Sequence, residues 1–126
     1  MKQDNPLARS VESARLLLDR IDTDQPTLDD VTRLTEAGEH LTSALNEAMA
    51  AVALSGASIR QVAAAARIAP NSVGPRLAAS APLEGYVEEG RVSGESLSRA
   101  RYDASRSNNS KSRPLRFSTR KPDDLS

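Results

Sequence analysis

The chain has 126 residues, 38% of them hydrophobic and 2% aromatic, with no cysteine and a formal net charge of zero. That length accommodates one domain with extensions, and the core must be modest because much of the apolar content is alanine. The lack of cysteine excludes a disulfide framework and a thiolate metal site, and Tyr86, Tyr102 and Phe117 are too few rings for a stacking surface on single-stranded nucleic acid. The opening MKQDNPLARS has no signal-peptide apolar run, and no stretch approaches the roughly 20 apolar residues that span a bilayer. The expectation is a cytoplasmic protein with no membrane partner.

The first predicted element is an amphipathic helix in which Leu7, Val11, Ala14, Leu18 and Ile21 alternate spacings of four and three along one stripe. DTDQP, residues 22–26, breaks the pattern, and Thr27 with Asp30 resembles a capping box, Asp29 and Asp30 also suiting the helix dipole. The second helix carries a heptad seam, Val31, Leu34, Gly38, Leu41, Leu45, Ala48 and Val52, and runs to Gly56. Near 28 residues, at about 1.5 Å each, it spans roughly 42 Å. Two arrangements are open: both stripes satisfy each other in an antiparallel hairpin of one chain, or the long seam pairs with another copy. Gly38 on that seam suits the close approach of a second backbone, or is a tolerated irregularity. Residues 1–57 are therefore expected to be a helical hairpin serving assembly, as a homodimer or with a helical protein partner bound through residues 7–52.

Residues 58–79, SIRQVAAAARIAPNSVGPRLAA, read as two short helices broken at one place. Two steeply crossed helices in contact need a small residue on the first, and aliphatic residues just after the turn and midway along the second. Ala63, Ile68 and Val73 meet those demands, with Val62 and Leu77 on the same faces. The segment resembles the helix-turn-helix of bacterial DNA-binding regulators. That resemblance implies double-stranded DNA as partner, with Arg60, Asn71, Ser72, Gly74 and Arg76 around the groove. Where such families usually have a turn glycine this chain has Arg67, which takes positive φ only with strain. Ala69 and Pro70 replace the usual Ser or Thr cap, and Pro70 suits a first helical position. Pro75 lies about five residues into the second helix, where an interior proline costs roughly 3 kcal/mol. Either that helix starts late, with Ser72 as cap and Val73-Gly74-Pro75 as its first turn, or it kinks.

Beyond this unit, 58–82, the segment 83–103 reads as a loop with a short helical turn over 96–102. Within it, Glu88-Glu89-Gly90 between Tyr86-Val87 and Arg91-Val92 forms either a wing-like hairpin or a loop in which Leu83, Tyr86 and Val87 cover apolar surface. From Ala104 to Ser126 the chain is polar and Ser-rich, the composition of a basic disordered tail.

Charge is segregated along the chain. Residues 1–57 hold five basic and ten acidic side chains, net −5; residues 58–82 hold Arg60, Arg67 and Arg76 with no acid, net +3; residues 83–95 are net −3; residues 96–121 are net +7. Such a distribution suits a phosphate footprint on an otherwise acidic surface, with Arg99, Arg101, Arg106, Lys111, Arg113 and Arg116 adding backbone contacts. Catalytic groupings are not found: His40 is the only histidine, Asp29 and Asp30 are explained by capping, and no metal cluster or phosphate-cradling glycine loop exists. No enzyme activity, metal or cofactor is expected. The chain is read as all-α: an N-terminal antiparallel hairpin, a helix-turn-helix and a basic disordered tail. The matching function is double-stranded DNA binding by a transcriptional regulator or a plasmid or phage accessory factor. The alternative is a helical interaction or assembly protein with a flexible basic docking tail.

Overall fold

The computed structural model describes residues 5–112, and side chains as far as Arg106. It is all-helical: Pro6–Leu18 (α1), Leu28–Leu54 (α2), Ile59–Ala66 (α3), Val73–Ala78 (α4) and Gly94–Ser112 (α5), with 3-10 turns at Pro70–Ser72 and Ala81–Tyr86. Asn5 starts α1 by accepting from Ala8 N at 3.2 Å, with Pro6 in the first turn where its missing N–H is harmless. The box expected at Thr27 is present, Thr27 N donating to Asp30 Oδ2 at 3.0 Å. At the far end, Gly56 at φ 118° closes α2, with Ala57 N bonded to the Val52 carbonyl at 3.0 Å and Gly56 N to that of Ala53 at 3.1 Å.

Helix α2 serves two packing units. Along its N-terminal part it pairs with α1, and the residues buried there are Ala14 on α1 and Asp30, Ala37 and Ala44 on α2. Its last turns enter a second cluster, where Met49, Ala50 and Ala53 pack with Val62 and Ala63 of α3, Val73 and Leu77 of α4, Leu83, Val92, and Leu97 and Ala100 of α5.

The seam of α2 is not what α1 covers. Val31, Leu34, Leu41, Leu45 and Val52 remain 56, 49, 49, 38 and 48% exposed. The stripe against α1 is lined by Asp30, Ala37 and Ala44, each one position before a seam residue and so about 100° round the helix. Mutual satisfaction of both stripes within one chain is therefore not the arrangement adopted.

The C-terminal boundary also differs from expectation. Disorder was expected from Ala104, yet α5 continues to Ser112, and its start lies within the segment expected to be a loop. Ser93 caps it, its Oγ accepting from Ser96 N at 3.0 Å, and Leu97 and Ala100 are buried in the cluster. Those anchors begin a helix that the polar composition downstream does not announce. Residues 113–126, with Arg113 and Arg116, lie outside the described residues.

Candidate nucleic-acid interface

Helix α3 begins with a reciprocal cap: Ser58 Oγ accepts from Gln61 N at 3.0 Å, and Gln61 Oε1 from Ser58 N at 2.8 Å. It ends where the sequence places the break. Arg67 takes the left-handed conformation at φ 61°, its N–H bonded to the Ala64 carbonyl at 3.3 Å, and Ile68 N reaches the Ala63 carbonyl at 3.1 Å. This double closure usually uses glycine; with arginine it stores strain on the order of 1 kcal/mol. Half-buried Ile68 then turns the chain into the cluster.

Pro70 opens a 3-10 turn that runs straight into α4, which begins at Val73. Pro75 thus falls in the first turn of a late-starting helix, where it removes no helical hydrogen bond. The structure adopts the late start rather than the kink, but Ser72 is not the expected cap: it is itself helical (φ −85°, ψ −12°) and its side chain makes no capping hydrogen bond. Val73, Gly74 and Leu77 face inward, while Asn71, Pro75 and Ala79 are exposed along the outer edge.

A two-residue reversal packs beside this unit. Glu88 and Arg91 exchange backbone hydrogen bonds at 2.8 and 3.2 Å across Glu89 (φ 55°) and Gly90 (φ 80°), a type I′ turn. Both sequence readings are met in part: the hairpin is reduced to a single bridge, and Leu83, Tyr86 and Val87 cover the apolar cluster. Its outgoing arm docks on α4: Val92 N donates to the Gly74 carbonyl at 3.0 Å, and an Arg91 guanidinium N–H to the Asn71 carbonyl at 3.3 Å. A Cβ at Gly74 would lie 2.9 Å from Val92 O and 3.0 Å from the Arg91 guanidinium.

These contacts sort the sequence-derived site residues. Arg60 and Asn71 are exposed and Ser72 is half-buried. Gly74 is buried beneath Arg91 and Val92, which corrects its assignment to the groove: the glycine is needed for backbone approach within the protein. Arg76 is turned to the protein as well, its Nε donating to Asn46 Oδ1 at 2.8 Å, and Asn46 is itself buried in α2. Arg101 is likewise corrected from a phosphate contact. Its guanidinium donates to the carbonyls of Ala53 and Ala57 at 2.8 and 2.7 Å, tying the last turn of α2 to the link that follows it.

Arg99 is exposed, 3.8 Å from Glu88 and 6.0 Å from the Tyr86 ring centroid, and Arg106 lies 5.7 Å from that of Tyr102. Tyr86 O–H donates to Asp103, and that bond, followed by burial, raises the phenol above its ordinary pKa. Lys111 is on α5, its side chain outside the described set.

Sequence reading missed Arg91 as a site residue: it counted within an acidic stretch and as an arm of the small hairpin. The exposed cations of this unit and its flanking turn are Arg60 in the first turn of α3, Arg67 at the break and Arg91; among the described residues Arg60 and Arg67 make no side-chain hydrogen bond or ion pair. No cluster of three potential metal ligands occurs among the described residues, and no helix there is long and apolar enough to cross a membrane. The fold and this site define an all-helical protein whose most distinctive surface is the cationic break between α3 and α4. No protein-family model, curated protein or solved structure matches the chain.

Proposed function

We propose that this protein binds double-stranded DNA through the α3–α4 unit. The observation that supports this most is the tight break at Arg67, which leaves the outer edge of the Pro70–Ala79 segment exposed, with Arg60, Arg67 and Arg91 exposed on the flanking segments and no acid between residues 58 and 82. In this reading the N-terminal part of that segment enters the major groove. Asn71 is the one exposed amide on it and carries the donor and acceptor that pair with adenine N7 and N6. Arg60, Arg67, Arg91 and Arg99 contact phosphates, while Gly74, Arg76 and Arg101 hold the fold.

The test is fluorescence anisotropy with a random-sequence duplex across a salt series. Binding is expected to weaken with salt at about 0.9 in log–log slope per phosphate contacted, and the Arg60→Ala, Arg67→Ala double variant to lower that slope by about two contacts' worth. Absence of binding at low salt ends the proposal. The competing reading, a helical assembly protein, is favoured by the exposed apolar seam on α2, and it predicts self- or partner association with no response to DNA.

A further inference from the structure

We infer that the exposed seam of α2 is the interface of an antiparallel homodimer with its twofold axis at Leu41. The seam residues Val31, Leu34, Leu41, Leu45 and Val52 are all about two-fifths to one-half exposed, and Leu28 beside them is 84% exposed. They present on the order of 550 Å² per chain, near the roughly 600 Å² each partner contributes at the lower end of stable interfaces.

The spacing of side-chain sizes selects a second copy and its direction. With Leu41 on the axis, Leu34 is level with the partner's Ala48, while Val31 and Gly38 lie one residue, about 1.5 Å, off the level of the partner's Val52 and Leu45. Each large residue away from the axis then meets a small or matched one, the interdigitation that fills a helix–helix core. A parallel pairing stacks Gly38 on Gly38, leaving a gap, and lines up Asp29, Glu36 and Glu39 of the two copies. The antiparallel register separates those acids and opposes the helix dipoles. Gly38 supports the same conclusion from within the chain: a Cβ there meets nothing within 4 Å, so no contact of the monomer accounts for a glycine in mid-helix. Opposite Leu45 of a second copy it provides the space that leucine fills.

The inference does not rest on DNA binding and is tested without DNA, on the full chain. Sedimentation equilibrium at about 100 µM is expected to give twice the chain mass, and Leu41→Glu, which sets two carboxylates across the axis, to give the chain mass with unchanged helical circular dichroism. A parent that stays monomeric, or a dimer indifferent to Leu41→Glu, overturns the proposal. Because the chain has no cysteine, direction is readable by disulfide trapping. Leu41→Cys alone is expected to cross-link, a mixture of Val31→Cys and Val52→Cys chains to form the mixed dimer, and Val31→Cys alone not to cross-link, its two copies lying roughly 30 Å apart. Self-cross-linking of Val31→Cys overturns the register.

Discussion

Replacing Gly74 by alanine pits two effects of known sign against each other. In an isolated helix the change is favourable, worth about 1 kcal/mol in propensity. Here the new methyl would sit 2.9 Å from the Val92 carbonyl oxygen and 3.0 Å from the Arg91 guanidinium. The guanidinium can swing into solvent, but the carbonyl belongs to backbone held by Val92 N bonding to Gly74 O at 3.0 Å. Relief therefore means moving the Arg91-Val92 arm off α4, losing that hydrogen bond, about 1 kcal/mol, and loosening buried Val92, within the roughly 1–3 kcal/mol usual for overpacking. The clash outweighs propensity, and the expected net loss is about 1–2 kcal/mol, or roughly 5–10 °C in Tm for a domain of this size. Thermal unfolding followed by circular dichroism measures it. Gly94→Ala is the control, since a Cβ there meets nothing within 4 Å. A Gly74→Ala protein as stable as its parent refutes the argument that the type I′ reversal requires glycine on α4.

Three further substitutions probe other joints. Arg67→Gly is expected to stabilise by roughly 0.5–1 kcal/mol in denaturant titration, the left-handed strain outweighing glycine's extra unfolded entropy, and a loss of stability there contradicts the strain assignment. Arg101→Ala is expected to cost about 1–2 kcal/mol, discounted because the buried Ala53 carbonyl keeps its bond from Gly56 N and the half-buried Ala57 regains water, with Arg101→Lys recovering only part since an ammonium does not span both oxygens. The Thr27 N–H, opposed by burial and aided by Arg33, holds the Asp30 carboxyl below the usual carboxylate range. Its stabilising contribution is therefore complete above about pH 4 and lost as pH falls through the folded-state value. Tm measured from pH 5 to 2 should fall less in Asp30→Asn than in the parent, and parallel curves would remove Asp30 from that role.

Where local chemistry dictates structure, the sequence was readable. The Thr27 box, the Gly56 stop, the break at Arg67 and the late start before Pro75 each depend on a few adjacent residues, and each is found in place. What escaped was set at long range. The α1-facing stripe of α2 is made of Asp30, Ala37 and Ala44, which a hydrophobicity pattern ranks below the leucines beside them. Arg76 and Arg101 look like phosphate ligands until Asn46 and the end of α2 are brought to them, 30 and 44 to 48 positions away in the chain. Arg91 fails in the opposite direction: its acidic neighbours hide a cation that folding carries to the start of α4.

The proposed reader and the proposed dimer bear on one another through the smallness of the outer edge on α4. Asn71, Pro75 and Ala79 offer a groove one amide and two surfaces without hydrogen-bonding side chains, so one copy has little with which to discriminate bases. Its affinity would come mainly from arginine–phosphate contacts, which orient without specifying. Two copies change the arithmetic. With the axis at Leu41, the Ala53 ends of the two α2 helices lie roughly 36 Å apart, near the 34 Å rise of one DNA turn that separates paired half-sites. Linking two weak readers makes the second contact intramolecular, and the gain disappears if the linkage is cut. Leu41→Glu, which touches no residue assigned to DNA, is therefore expected to weaken duplex binding at least tenfold while leaving the salt slope per chain unchanged. Equal affinity in the monomeric variant would separate the two proposals and leave the reader acting alone.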